Sequence, residues 1–267
     1  MALLKTFIFR VKYLFMSNKI ALVTGGSRGL GKDMALQLAR HGHDVIITYH
    51  TQKEAAEQVV NEIKRLGKKA SSVCLDTNDI ASLEKFQQQF QQLLEQQWHT
   101  TTFDFLINNA GIGATIPFAR VTESDFDRFM NIHFKSVYFL TQRLLPVIND
   151  RGRIINISTG TTRFCVPGYS VYASMKGAIE VFTRYLAKEV GQRGITVNVV
   201  APGPVATDFN SGGNRDNPER NKFLASQTAL GRVGLPEDIG GVIAFLCSEN
   251  AAWINGQRIE VTGGINL

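Results

Sequence analysis

Short apolar runs alternate along the chain with longer stretches in which apolar residues recur every three or four positions. The run at residues 20–23 is followed by a helical spacing at 32–41, with Met34, Ala35, Leu38 and Ala39 in step. β-Branched residues at 45–48 predict a second strand, and Val59, Ile63 and Leu66 put one apolar face on a helix at 54–66. A third strand is expected at 70–75. A helix at 80–97 follows, carrying Leu83, Phe86, Phe90, Leu93 and Leu94. Further strands are predicted at 103–107, 153–157, 196–200 and 258–261, and helices at 124–145, 172–190 and 236–247, the last with proline in its first turn. Strand and helix in strict alternation, with strands apolar on both faces, define an α/β fold. Its expected form is a doubly wound parallel sheet of about seven strands covered by helices on both sides. The glutamines at 87–97 keep the helical apolar period, so they read as a solvated helix face.

Composition narrows the function classes. Of 267 residues, 44% are hydrophobic and 19% charged, ordinary globular usage that excludes disorder as the main state. No stretch approaches the roughly 18 consecutive apolar residues of a membrane span. Lys+Arg 29 against Asp+Glu 23 gives a net +6, but no dense basic run with interleaved aromatics stands inside the chain, so a nucleic-acid partner is not expected. Cys74, Cys165 and Cys247 form no paired motif, which argues against a metal site or a disulfide framework and suits a reducing cytoplasm. Cys74 and Cys247 lie in apolar runs and read as core. Residues 1–16, MALLKTFIFRVKYLFM, read as an appended segment, with an amphipathic surface anchor as the alternative. Residues 17–267 then form a single domain.

Chemistry begins at the first strand. Thr24-Gly25-Gly26-Ser27-Arg28-Gly29-Leu30-Gly31 joins that strand to the first helix. Gly25 permits a tight turn, Gly29 clears the approach of a ligand, and Gly31 lets helix and sheet pack closely. Free amides at the helix start favour a pyrophosphate. In this place the motif points to a dinucleotide.

With its Gly-x3-Gly-x-Gly spacing, the chain resembles the short-chain dehydrogenase/reductase family from residue 18 to its end, including members that reduce 3-oxoacyl groups on acyl-carrier protein. The resemblance implies a Rossmann-type fold and a nicotinamide cofactor. At the end of the second strand, Tyr49 stands where an acid would bind a ribose 2′-hydroxyl. Arg28, His50, Thr51 and the nearby Lys53 offer cations and donors, so NADP(H) is expected over NAD(H). Asp76, beside Thr77, matches the acid that holds the adenine amino group and equally suits a turn cap. Asn108-Asn109-Ala110-Gly111 matches the family's NNAG motif on the adenine-ribose side.

Tyr172 and Lys176 are four residues apart and share a helix face, so the cation is expected to lower the phenol pKa towards working pH. By resemblance, Tyr172 protonates a substrate carbonyl, Lys176 holds the nicotinamide ribose, and Asn131 orients a relay water. The family serine thirteen residues before the tyrosine is replaced here by Thr159, and Ser158 is the second candidate for the substrate-polarising hydroxyl. Pro202, Gly203, Val205 and Thr207 match the loop over the nicotinamide. The polar segment 209–221 reads as a mobile lid, and Phe164, Val166 and Tyr169 are candidate pocket residues. The expected activity is interconversion of a carbonyl and an alcohol, with an acyl thioester among the possible substrates. The alternative is an NADP(H)-binding sensor or scaffold. A homodimer or homotetramer is expected, with 251–267 joining an interface.

Overall fold

The computed structural model describes residues 18–267, so the expectations placed on 1–16 fall outside the described residues. Seven strands form one sheet, all pairs parallel, in the order β3-β2-β1-β4-β5-β6-β7. The strands are β1 Ile20–Val23, β2 Asp44–Tyr49, β3 Ala70–Cys74, β4 Phe103–Asn108, β5 Ile148–Ile157, β6 Thr196–Pro202 and β7 Arg258–Val261. The helices are α1 Gly29–Arg40, α2 Lys53–Arg65, α3 Ser82–Leu93, α4 Glu123–Met130, α5 Ser136–Leu144, α6 Ser170–Val190, α7 Gly213–Asp216, α8 Pro218–Ser226 and α9 Glu237–Cys247. This is the doubly wound α/β arrangement that the alternation of patterns implies.

Alternate strand residues feed two cores, because successive side chains point to opposite faces of a sheet. Ala21, Val23, Val45 and Ile47 pack with Met34, Leu38, Val59, Ile63 and Ile243 under α1, α2 and α9. Leu22, Ile46, Leu106 and Val197 pack with Phe86, Phe90, Leu140, Leu144 and Val190 under α3, α5 and α6. The ring of Phe90 meets Phe103 edge-on at 5.0 Å. A smaller cluster of Phe129, Val171, Tyr172 and Met175 pins the start of α6 to α4.

Three expectations need correction, and the segment expected as a lid proves to carry helices. Cys74 is exposed, because β3 is an edge strand; Cys247 is buried as expected. The fifth strand starts at Ile148, not at Arg153. Phe103 pairs with Ile148 and Phe105 with Arg153, so residues 149–152 loop out of register around Arg151 at φ 64°. The helix expected at 124–145 is three pieces. The capping box of Thr122 and Asp125 starts α4, a five-residue π-helical turn follows at Asn131–Lys135, and α5 continues from Ser136. The segment 209–221 holds α7 and runs into α8.

The chain runs outward from β1 to β3 and then returns to β4 on the other side of β1. The loops after β1 and β4 therefore diverge and leave a crevice at the carboxyl edge of the sheet. Truncating Phe90 to alanine, in full burial and against an aromatic partner, should cost about 3–5 kcal/mol of stability, read by denaturant unfolding.

Candidate active site

A cleft of about 530 Å³ occupies that crevice. Its inner wall is the turn between β1 and α1. Gly25 sits at φ +66° there, and a side chain on Gly31 would come within 2.2 Å of the Gly25 carbonyl oxygen, so the turn tolerates no Cβ at that position. Arg28 is the N-cap of α1, yet no side chain caps the helix. The first-turn amides and the positive end of the helix dipole thus face the cleft, along with Ser27, Gly29 and Leu30. These are the features a pyrophosphate needs.

The loop after β4 holds this turn in place. The Thr24 hydroxyl accepts hydrogen bonds from the backbone N–H of Asn109 and of Ala110, both at 3.0 Å. The Asn109 carboxamide donates to the carbonyl oxygens of Thr24, at 2.9 Å, and Gly25, at 3.2 Å. Asn109 therefore serves the architecture of the cleft directly. Asn108 is buried one residue earlier and donates to Asn156 and Thr141.

At one end of the cleft stand Tyr49, His50, Thr51, Asp76 and Thr77. Asp76 accepts from the Asn78 amide at 2.8 Å, which makes it the turn cap, while its other oxygen lies 3.5 Å from His50 Nε2. Arg28 is exposed, and among the described residues it forms no ion pair. It is available to an anion there.

At the other end, α6 presents Tyr172 and Lys176, both buried. The Lys176 ammonium donates to the Ile157 carbonyl oxygen at 2.7 Å and lies 5.9 Å from the centre of the Tyr172 ring. Burial pushes the Lys176 pKa down to about 8. The expectation for the phenol is reversed. Burial raises the Tyr172 pKa, a hydrogen bond with the Thr159 side chain pulls it partly back, and Tyr169 adds to the rise. Desolvation disfavours a phenolate more than the surrounding groups favour it, so Tyr172 stands here as a protonated acid.

Thr159 and Ser158 are also told apart. Ser158 follows directly on β5, and its hydroxyl donates to Glu180 at 2.6 Å. Glu180 is held by Arg258 Nε at 2.8 Å and by the Thr162 hydroxyl at 2.7 Å, and Arg258 also donates to the Thr159 carbonyl oxygen at 3.1 Å. This half-buried network fixes the backbone of the 158–162 turn, where the Thr159 hydroxyl lines the cleft, accepts from the Thr161 amide at 3.3 Å and lies 3.2 Å from the Thr161 hydroxyl.

Asn131 does not line the cleft, whereas His133 does. The His133 ring is buried, stacks on Phe129 at 5.4 Å and meets the Tyr172 ring edge-on at 5.1 Å. Position 133 is four beyond the inward-facing Phe129. Position 131 is only two beyond it and points elsewhere on a helix. The four-residue spacing from Phe129 is the signal in the sequence for His133.

Pro202, Gly203, Val205 and Thr207 form the outer wall above β6. The mouth carries Phe164, Val166, Tyr169 and Phe209, with Arg128 and Arg220 at its rim. The Tyr169 phenol oxygen accepts from Asn210 at 3.0 Å and Arg220 at 3.3 Å, which ties the segment bearing α7 and α8 to the start of α6. Of the expected site residues Asn131, Asn108 and Lys53 lie off the cleft, and Lys53 sits 3.8 Å from Glu57 on α2. Among the described residues no cluster of acidic, histidine or cysteine side chains could hold a metal ion, and no helix is long and apolar enough to cross a membrane.

A phosphate-cradling turn at the sheet's switch point and a buried Tyr-Lys pair beside a hydroxyl describe a nucleotide-dependent oxidoreductase. A family model described as enoyl-(acyl carrier protein) reductase matches residues 25–266. The hydroxynaphthalene reductase-like protein Arp2 of Metarhizium brunneum (strain ARSEF 3297) is 36% identical over 260 residues, 93% of this chain and 95% of that protein. Among solved structures, the promiscuous reductase LugOII, which catalyses keto-reduction at C1 during lugdunomycin biosynthesis, superposes with a TM-score of 0.90. It is 37% identical and aligned over 94% of this chain and 99% of that one. The angucycline C-6 ketoreductase LanV with bound NADP gives a TM-score of 0.89 at 37% identity, over 93% and 95% of the two chains. The protein belongs to the short-chain dehydrogenase/reductase family and is an oxidoreductase acting on a carbonyl/alcohol pair.

Thr159→Ala should lower kcat/KM by about 100-fold, a typical loss for a donor at a developing oxyanion, while Thr159→Ser retains activity. Ser158→Ala, measured beside them, should stay within about tenfold of the parent, because its hydroxyl serves Glu180.

Proposed function

We propose that the protein is an NADP(H)-dependent ketoreductase that reduces a ring ketone on a flat, polycyclic aromatic substrate. The observation that carries the chemistry is the meeting of Thr159, Tyr172 and Lys176 at one end of a cleft whose other end suits a nucleotide. The bound nicotinamide supplies the hydride. Tyr172 gives its phenolic proton to the carbonyl oxygen, and the Thr159 hydroxyl hydrogen-bonds to the same oxygen and steadies its growing negative charge. The Lys176 ammonium, 5.9 Å from the ring, favours the phenolate left behind.

Arg28 supports NADP(H) over NAD(H). It is exposed at the cap of α1, within a cleft whose 2′ end carries Tyr49, His50 and Thr51 in place of an acid. The NADP bound to LanV agrees with this choice. Two observations support the substrate class. The mouth is walled by Phe164, Tyr169 and Phe209, which offer flat apolar surface to an aromatic ring system. Relatives of similar length are named for a hydroxynaphthalene and an angucycline. An acyl thioester is the second reading, favoured by the description of the family model. The three cysteines are free, in keeping with a reducing cytoplasm. Residues 17–267 would act as one catalytic domain. Exposed Tyr138 and Tyr185 on α5 and α6, and Trp253 near the C-terminus, offer apolar surface for a homodimer or homotetramer.

The test is NADPH oxidation over a panel of a polyhydroxynaphthalene, tetralone, rabelomycin, an acetoacetyl thioester and an enoyl thioester. Turnover of a cyclic aromatic ketone, abolished by Tyr172→Phe, is the expected outcome. Preference for a thioester overturns the substrate class, and turnover that survives Tyr172→Phe overturns the mechanism. Arg28→Ala should weaken NADPH binding by about tenfold or more, the worth of one charge-assisted phosphate contact, and leave NADH binding nearly unchanged. An equal loss for both cofactors removes the assignment of Arg28.

A further inference from the structure

Two of the rings that wall the mouth of the cleft rest on glycines that the backbone itself does not require. Gly113 lies in the loop after β4 and is not itself part of the cleft lining. A Cβ there would stand 2.6 Å from Cε1 and 2.9 Å from Cζ of Phe209, and 3.1 Å from Cβ of Asn210. Gly160 follows Thr159. A Cβ on it would stand 2.9 Å from Cε1 and 3.1 Å from Cζ of Phe164. Carbon atoms pack at about 3.5–4.0 Å, so each ring edge occupies the space that a side chain would take. Neither glycine has a positive φ, unlike Gly25 in the phosphate turn.

Phe209 is held in its seat from both sides. Its backbone N–H donates to the Thr207 hydroxyl at 3.2 Å. The Asn210 carboxamide donates to the Tyr169 phenol oxygen at 3.0 Å and to the Thr115 hydroxyl at 3.5 Å. Asn210 and Ser211 take left-handed backbone, at φ 53° and 58°, which persists only where the surrounding contacts over-determine it. The ring so placed lies 6.1 Å from that of Tyr172, tilted by 52°, and Phe209 remains 41% exposed. An apolar ring left open beside the reacting phenol is a surface for a second flat ring. Phe164 is half-buried, and its backbone N–H donates to the Gly160 carbonyl oxygen at 3.3 Å, so the chain turns back on the glycine that the ring covers.

We propose that Gly113 and Gly160 are specificity-determining positions: by carrying no side chain they let Phe209 and Phe164 settle by their edges against the backbone, and the rings so seated bind a flat aromatic ketone. A Cβ at position 113 displaces the Phe209 ring without straining the backbone, because the far end of an exposed side chain is what has to move. Gly113 thus acts through Phe209 and is a positioning residue. A ketone with no aromatic ring gains little from the rings and is indifferent to their seats. This rests on the ketoreductase reading and names the groups that select its substrate.

The experiment compares tetralone with cyclohexanone, each with NADPH. Gly113→Ala should lower the ratio of kcat/KM for tetralone to that for cyclohexanone by about fivefold, the worth of one ring contact, and the loss should lie in the KM for tetralone. Phe209→Leu should lower the same ratio, and adding Gly113→Ala to Phe209→Leu should change nothing further. An unchanged or raised ratio in Gly113→Ala, an equal loss for both ketones, or a loss that persists in the Phe209→Leu background overturns the proposal. Gly160→Ala with Phe164→Leu forms the same cycle and takes its place should Gly113→Ala not fold. A reading independent of turnover is calorimetric binding of 1-naphthol to the protein loaded with NADP. Weaker binding in Gly113→Ala is expected, with no further weakening when Gly113→Ala is added to Phe209→Leu. Equal affinity in the wild type and Gly113→Ala overturns the proposal. Turnover of tetralone that survives Tyr172→Phe defeats the ketoreductase mechanism instead and leaves the naphthol cycle to judge the seats, so the two failures are distinct.

Discussion

One polar join underlies the site: the loop after β4 is tied to the turn after β1 by Thr24 and Asn109. In a parallel sheet buried on both faces, polar chemistry is confined to the carboxyl edge, where the strands stop and the loops diverge. At that edge an untied glycine turn would lose its shape, because glycine loses more backbone entropy than other residues when it is ordered. Four hydrogen bonds from two adjacent residues hold it. The cap of α1, with no side chain on its first amides, is thereby presented to the cleft. Asn109 lines the cleft and at the same time holds the turn that shapes it.

At the opposite end of the cleft, burial is the dominant force. It depresses the Lys176 ammonium to about 8 and raises the Tyr172 phenol, so the pair stands as a protonated acid beside a cation that surrenders its charge readily. Charges so far from water are held only where backbone and neighbours satisfy them. The Ile157 carbonyl oxygen does this for Lys176, and the Glu180–Arg258 pair does it for the turn that carries Thr159. Position 159 therefore takes its orientation from β7 and α6, nearly a hundred residues away along the chain in the case of Arg258.

The order of strands and helices, the parallel sheet, the phosphate turn and the Tyr172–Lys176 pair were all legible in the sequence. Each rests on local rules: the period of apolar residues, the punctuation of glycines, and two residues one helical turn apart. The family followed from those motifs read in register. Three features were decided by tertiary structure. Cys74 is exposed because β3 has no neighbour on its outer side, and an apolar run does not reveal an edge. Ser158 and Thr159, adjacent and nearly alike, differ because Glu180 claims one hydroxyl and the other caps the Thr161 amide at the cleft wall. His133 lines the cleft and Asn131 does not, because the packing of Phe129 and the π-helical turn decide which side chain meets the Tyr172 ring. Sequence by itself sets which groups are available and on which element they lie. Which of them face the reacting carbonyl, and in which protonation state, depends on burial and on contacts between residues far apart in the chain.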